Sequence, residues 1–183
     1  LDILICNYGN SNFKKNNLDF YHAFNNNFFS SVNTIKQAMP ILKKKTGKII
    51  CISSICAIEA IKDAPIAYSV AKSALNNYVK SISFVLAKSQ ININSIAPGN
   101  IYFKGSIWEK KLIKNNLKTK KYIYDNVPMN KFGNIQEIFK LCNYLSSDNC
   151  FSTGATYILD GGQTRAFKQW NKYNLIYPTN TLL

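Results

Sequence analysis

The chain has 183 residues and a formal net charge of +14 at pH 7, from 23 Lys and Arg against 9 Asp and Glu. With 46% hydrophobic and 17% charged residues, its composition is that of a globular protein and excludes a disordered or fibrous one. The sequence has no uninterrupted run of about 18 apolar residues, the length that a membrane span requires.

The excess of lysine does not by itself indicate a nucleic-acid-binding protein. The lysines are scattered in short runs, Lys, Asn and Ile are enriched together, and no nucleic-acid-binding motif accompanies them. The five cysteines form no C-x-x-C pair and His22 is the single histidine, so no metal site is predicted. We expect a cytoplasmic protein that binds neither nucleic acid nor membrane.

The first half of the chain predicts strands that alternate with helices. Residues 1–6 are an apolar run typical of a buried strand, and a polar loop follows them. Apolar residues at three- and four-residue spacing over residues 20–39 predict a long amphipathic helix that ends near Pro40. The β-branched run at residues 48–53 predicts a second strand, buried on both faces.

The second half continues the alternation. An apolar stripe over residues 67–86 predicts a second long helix, and residues 91–97 predict a strand that stops at Pro98-Gly99. Residues 103–126 are basic and irregular, with one predicted helix around residues 108–115. A helix at residues 135–145 and a short strand at residues 155–159 complete the pattern.

This alternation predicts right-handed βαβ units and a mostly parallel sheet that is covered on both faces. Ligands of such sheets bind at the carboxyl ends of the strands. The loops that follow Cys6, Ser53 and Ala97 should therefore share one edge, where we expect the chemistry.

The most informative chemical pattern is Tyr68 followed four residues later by Lys72, with Ser53-Ser54 at the end of the preceding strand. Residues at i and i+4 lie on the same face of a helix, so the Lys72 ammonium can approach the phenol. A neighbouring cation lowers the pKa of a tyrosine from its ordinary value of about 10. The pair therefore predicts a proton donor and acceptor, against the alternative of a core-edge tyrosine beside a solvated lysine.

Taken in order, the motifs of residues 1–162 resemble those of the short-chain dehydrogenase/reductase family. Residues 1–9 resemble its L-D-x-L-V-N-N-A-G segment, with Cys6 and Tyr8 as departures, and residues 68–72 match Y-x-x-x-K. Residues 94–101 resemble N-x-I-x-P-G-x-I, and residues 127–162 are similar to the family's C-terminal V-P, F-L-x-S-D and V-D-G-G motifs.

The resemblance implies an α/β, Rossmann-like fold with a doubly wound parallel sheet in three α/β/α layers. The chain would enter this fold at about the fourth strand, as a single partial domain over residues 1–183 with a C-terminal tail at residues 163–183. No G-x-x-x-G-x-G occurs in the sequence. We expect that phosphate-binding loop within roughly 70–90 further residues upstream of Leu1. Without such residues, an exposed sheet edge and poor stability are expected.

The resemblance also implies roles for individual side chains. Tyr68 would exchange a proton with the substrate oxygen, and Lys72 would lower the pKa of Tyr68 and bind the nicotinamide ribose. Ser54 would hold the substrate oxygen, with Ser53 as its competitor. Asn27 would anchor the water of a proton relay, and its neighbours Asn25 and Asn26 are the alternatives.

A nicotinamide dinucleotide, NAD or NADP, is the implied cofactor. The residues expected to bind it are Asn7, Gly9, Tyr68, Lys72, Pro98, Gly99 and Ile101, and those expected to face the substrate are Phe103 and Trp108.

The implied function is that of an NAD(P)-dependent oxidoreductase that interconverts a secondary alcohol and a ketone. A small molecule such as a carrier-linked 3-oxoacyl group or a sugar would be the substrate, and the protein would form a homodimer or homotetramer. Two alternatives remain open: a non-catalytic protein that keeps this scaffold for assembly or regulation, and a basic nucleic-acid-binding module.

Overall fold

The computed structural model describes residues 1–11, 19–42 and 46–165. Its centre is a sheet of four parallel strands, and two further short strands pair with each other beside it. Numbered in chain order, the strands are β1 (Ile3–Cys6), β2 (Lys48–Ile52), β3 (Asn92–Pro98), β4 (Ile101–Tyr102), β5 (Gly133–Asn134) and β6 (Thr156–Leu159). The order in the main sheet is β1-β2-β3-β6, and β4 pairs with β5. The predicted parallel α/β architecture is confirmed.

The helix that was predicted over residues 20–39 has a wider turn in its middle. The segment consists of α1 (Phe20–Phe24), a π-helical turn (Asn25–Phe29) and α2 (Ser30–Ala38). At the end of the wide turn, the Ser30 amide donates to the Asn25 carbonyl, five residues back. Turns of this kind are rare and often occur at functional sites.

The second long helix, α3 (Ile66–Ala87), packs on the same face of the sheet as α2. Its predicted apolar stripe is confirmed at Leu75 and Val79, which are fully buried against Ile49 and Ile93. Val85 was assigned to the same stripe wrongly, because it is 61% exposed on the outer face.

The opposite face of the sheet is covered by α6 (Ile135–Leu145). Leu145 packs there against Ile50 and Ile96, whereas the neighbouring Ile49 points to the side of α3. Side chains of one strand therefore enter two separate cores, as expected for a parallel sheet between two helical layers. The three-layer arrangement is confirmed.

A pair of helices stands over the carboxyl edge of the sheet. These are α4 (Ile107–Lys114) and α5 (Asn116–Asn126), which we call the lid together with Asn115 between them. The prediction that most of this segment is irregular was wrong. The Asn115 side chain accepts from the Lys118 amide at 2.9 Å and so caps a new helix.

Strand β1 has a sheet neighbour on one side only within the described residues, as expected. Ile3 and Ile5 are 44% and 48% exposed there. Of the expected tail at residues 163–183, Gln163–Arg165 forms a short 3₁₀ turn, and the remainder lies outside the described residues. In the described parts of the chain, no helix combines the length and the apolar character needed to cross a bilayer.

Candidate active site

A cavity of about 790 Å³ opens at the carboxyl ends of β2 and β3, on the edge where the sequence predicted the chemistry. Ser54 and Tyr68 both line it, as do Gly99 and Asn100. The lid forms the opposite wall, with Trp108 and Tyr122 among its lining residues.

Ser54 and Tyr68 come from neighbouring elements. Ser54 follows β2, and its hydroxyl oxygen accepts from the Cys56 amide at 3.2 Å, which leaves the hydroxyl hydrogen available for another acceptor. Ser53 does not line the cavity, and its buried hydroxyl has no partner among the described residues. Of the two candidate serines, only Ser54 therefore reaches the cavity.

The phenol of Tyr68 is held in its protonated form. Burial raises its pKa to about 12, and a hydrogen bond with the Ser54 side chain opposes only part of this shift. The expectation that the pKa of Tyr68 is lowered was therefore wrong for the chain by itself. Burial outweighs the hydrogen bond, and Lys72, whose ammonium lies 6.0 Å from the centroid of the Tyr68 ring, is not among the groups that lower this pKa.

Lys72 is bound instead to the strand below it. Its ammonium donates to the Ile52 carbonyl at 2.7 Å, across the packing of α3 on β2. Burial lowers the pKa of Lys72 to about 8, although the neighbouring thiols of Cys51 and Cys6 oppose this shift. Lys72 is thus a buried cation whose charge titrates close to neutral pH.

Asn27 is the only one of the three adjacent asparagines that is fully buried. Its side-chain oxygen accepts from the Asn10 amide at 3.0 Å, and its side-chain nitrogen donates to the carbonyls of Asn10 and Ala23 at 2.9 Å and 3.0 Å. The side chain therefore ties the π-helical turn to the loop that follows β1. Three of the four hydrogen bonds that the Asn27 amide can make are therefore formed within the chain.

The loop after β1 approaches the site at Gly9. A Cβ atom on Gly9 would lie 2.6 Å from the Asn27 side-chain oxygen and 3.2 Å from the Lys72 ammonium, so a larger residue does not fit without displacement. Asn7 and Tyr8 are exposed on the same loop. The structure thus brings Gly9 to Lys72 and leaves Asn7 at the surface.

Residues of the segment after β3 line two different cavities. Gly99 and Asn100 line the main cavity, and the Gly99 amide donates to the Leu159 carbonyl at 3.0 Å. Pro98 ends β3, and Ile101 lines a second cavity of about 280 Å³ on the other side of this segment. Phe103 is 46% exposed and does not line the main cavity.

The stacking of the two aromatic rings of the lid on each other was not predicted from the sequence. Trp108, predicted to face the substrate, lines the cavity, and its ring stacks on Tyr122 with centroids 5.5 Å apart and an interplanar angle of 28°. The Tyr122 hydroxyl accepts from the Gln163 side chain at 3.4 Å. Tyr122 and Asn100 could be recognised only once the lid had been placed over the sheet.

Comparisons with known proteins agree with this geometry. A family model described as "Enoyl-(Acyl carrier protein) reductase" matches residues 1–164. The protein "3-oxoacyl-[acyl-carrier-protein] reductase FabG" of Buchnera aphidicola is 31% identical in an alignment of 171 residues that covers 88% of this chain and 66% of that protein.

Two solved structures share the fold at similar identity. A 7α-hydroxysteroid dehydrogenase complexed with NADH and 7-oxo glycochenodeoxycholic acid is 25% identical with a TM-score of 0.74, over 89% of this chain and 64% of its own. ElxO with NADP bound is 27% identical with a TM-score of 0.75, over 91% of this chain and 68% of its own. The chain spans about two thirds of the length of these relatives. The family-model match over nearly the whole described chain shows that it belongs to the short-chain dehydrogenase/reductase family.

Proposed function

We propose that this chain carries the proton-transfer site of an NAD(P)-dependent oxidoreductase that interconverts a secondary alcohol and a ketone. The observation that carries the proposal is the meeting of Ser54 and Tyr68 on one cavity, with Lys72 one helical turn from Tyr68 and beneath it. The relatives named above as a 3-oxoacyl reductase and a hydroxysteroid dehydrogenase support this reaction class.

In the direction of ketone reduction, Tyr68 donates its phenolic proton to the substrate oxygen. A pKa of about 12 keeps that proton in place at neutral pH. The hydroxyl hydrogen of Ser54 stabilises the same oxygen as negative charge develops on it. In the reverse direction Tyr68 must be a phenolate to accept the alcohol proton, and Lys72 on the same helix is the cation that would stabilise it once cofactor and substrate occupy the site.

The residues at the strand ends fit the nicotinamide half of a dinucleotide. Gly9 leaves the space beside Lys72 that a Cβ atom would fill, and Gly99 lies on the cavity beside Tyr68. Lys72 and the backbones of Gly9 and Gly99 would hold the cofactor there, and we propose Asn7, Pro98 and Ile101 as weaker contributors. The bound cofactor supplies the hydride, which no protein side chain can provide.

The proposal is tested by NAD(P)H oxidation with a panel of ketones, using the full-length protein. We expect turnover in the wild type and a loss of at least about 100-fold in Tyr68→Phe, because general acid–base catalysis contributes about 10²–10⁴-fold. Tyr78→Phe on the same helix is the matched control, since Tyr78 does not line the cavity.

Two outcomes would contradict the proposal. Equal turnover in the wild type and Tyr68→Phe would remove Tyr68 from the mechanism. Cofactor binding without turnover of any ketone would favour the alternative of a non-catalytic scaffold protein.

We further propose a homodimer or homotetramer in the cytoplasm that acts on a small-molecule substrate. The outer face of α3 supports assembly, because Ile66, Val70 and Phe84 are 56%, 42% and 73% exposed on it. The free thiols of all five cysteines support a reducing compartment.

A further inference from the structure

The wall of the main cavity that the lid contributes is positively charged. Lys111, Lys114 and Lys118 line the cavity that also holds Tyr68. Lys111 and Lys114 reach it from α4, and Lys118 reaches it from α5. Lys62, in the loop before α3, lines the same cavity.

The carboxylates near the lid do not neutralise these lysines. The Glu109 side chain accepts from the Gly105 amide at 2.6 Å, and Asp125 pairs with Lys121 at 3.1 Å. Asp63 is the one carboxylate among the described lining residues. Within the part of the chain that the structure describes, no ion pair joins Lys111, Lys114 or Lys118.

This arrangement is more specific than the lysine content of the protein. All the lysines of these two helices are exposed, but Lys110, Lys120 and Lys121 do not line the cavity. Lys111, in contrast, is held in place, because its ammonium lies 4.3 Å from the centroid of the Trp108 ring. Trp108 in turn stacks on Tyr122. The lid thus presents an aromatic surface with fixed positive charge beside it.

We infer that the substrate of this site is an anionic ketone or alcohol, which carries a carboxylate or a phosphate ester that the lid lysines bind. The inference rests on the proposed function and names the substrate class of the same site. The reacting carbon lies at Tyr68, the body of the substrate lies on the stacked rings of Trp108 and Tyr122, and the anion meets Lys111, Lys114 and Lys118. Neutral ketones of the same shape are poorer substrates.

The first experiment compares matched ketones with the full-length protein. In the carboxylate arm, 4-oxopentanoate and 6-oxoheptanoate are each compared with their methyl esters. In the phosphate arm, dihydroxyacetone phosphate is compared with dihydroxyacetone. We expect kcat/KM to be at least about tenfold higher for the anion in at least one arm, and this preference to shrink with added salt, because exposed charge pairs are screened. The arm with the larger ratio identifies the anionic group.

The second experiment separates the effect of the lid lysines from the effect of the protein's net charge. The triple variant Lys111→Gln, Lys114→Gln, Lys118→Gln should raise KM for the preferred anion about tenfold and so remove most of the preference for the anion over its neutral partner. The charge-matched control is Lys110→Gln, Lys120→Gln, Lys121→Gln, which should leave both substrates unchanged. KM for the cofactor should not change in either variant.

The inference would be overturned if the two triple variants had equal effects, or if kcat/KM were equal for anions and neutral ketones. Either result would leave the proposed oxidoreductase activity standing. If the protein shows no turnover, binding of the anion can still be measured directly. In a Trp170→Phe background, quenching of tryptophan fluorescence by 6-oxoheptanoate or dihydroxyacetone phosphate should saturate, and this quenching should be lost when Lys111, Lys114 and Lys118 are also changed to Gln. Absence of saturable quenching in the Trp170→Phe background would count against the anion site directly.

Discussion

At the scale of single residues, burial decides more than spacing does. The pairing of Tyr68 with Lys72 could be predicted from their four-residue spacing. The preference for Ser54 over Ser53 could be predicted from the family motif. The protonation states could not be found in this way. They depend on how far each group is removed from water, and burial raises the pKa of Tyr68 and lowers that of Lys72.

The lowered pKa of Lys72 should appear in the pH dependence of stability. Its folded value of about 8 lies below the ordinary 10.5. The unfolded chain therefore binds more protons between these values, and the free energy of unfolding rises with pH there. Relative to Lys72→Met, the wild type should gain about 1 kcal/mol between pH 7 and pH 9. Urea denaturation at several pH values measures this difference.

Lys80→Met is the matched control, because Lys80 lies on the same helix and is exposed. Its pH profile should follow that of the wild type. Parallel profiles for the wild type and Lys72→Met would show that the Lys72 ammonium is not held in a desolvated state.

At the scale of elements, long periodic segments were predicted well and short or irregular ones were not. The 22-residue α3 has a continuous buried stripe that is visible in the sequence. The π-helical turn at Asn25–Phe29 could not be foreseen, because one wide turn barely disturbs the apolar spacing around it. Helix α5 was missed because only Thr119 and Ile123 are buried on it, so a run of lysines hides its periodicity.

The contribution of Asn27, in the π-helical turn, to the free energy of unfolding can be tested by substitution. Asn27→Ala removes three hydrogen bonds and leaves the buried carbonyl of Ala23 and the part-buried backbone groups of Asn10 without that partner. We expect a loss of about 2–4 kcal/mol in the free energy of unfolding, since an unsatisfied buried polar group costs about 1–3 kcal/mol. The midpoint of urea unfolding measures it.

Asn33→Ala serves as the control, because Asn33 is exposed on α2 of the same helical segment. A change at that position should stay within about 0.5 kcal/mol. Similar losses of unfolding free energy in both variants would mean that the hydrogen bonds between Asn27 and the loop after β1 add nothing beyond ordinary helix stability.

At the scale of the whole molecule, the parallel sheet and its two helical layers followed from the alternation of strands and helices. The sequence could not show which apolar side chains of α3 remain exposed. Periodicity marks one buried face of a helix, whereas α3 has apolar residues on its buried face and on its outer face. Phe84 is 73% exposed on its outer face. Such a surface on a long helix is typical of a contact with a second copy.

Phe84→Asp should therefore shift the full-length protein toward the monomer. A buried carboxylate in an apolar interface without a partner weakens association by several kcal/mol, and Kd should rise at least about 100-fold. Light scattering after size-exclusion chromatography measures the mass. Tyr124→Asp is the control, since Tyr124 is 72% exposed on the lid. An unchanged mass for Phe84→Asp would place any assembly contact elsewhere.

The bond between the Lys72 ammonium and the Ile52 carbonyl spans 20 residues, and the bond between Asn27 and Asn10 spans 17. Neither can form inside a single helix or strand. The helices of a refolding chain can return within microseconds, whereas these two hydrogen bonds form only after the slower docking of α3 on β2 and of the π-helical turn on the loop after β1. Recovery of the proposed activity would therefore report a late stage of folding, and a collapsed chain with all its helices but without these two hydrogen bonds should lack that activity.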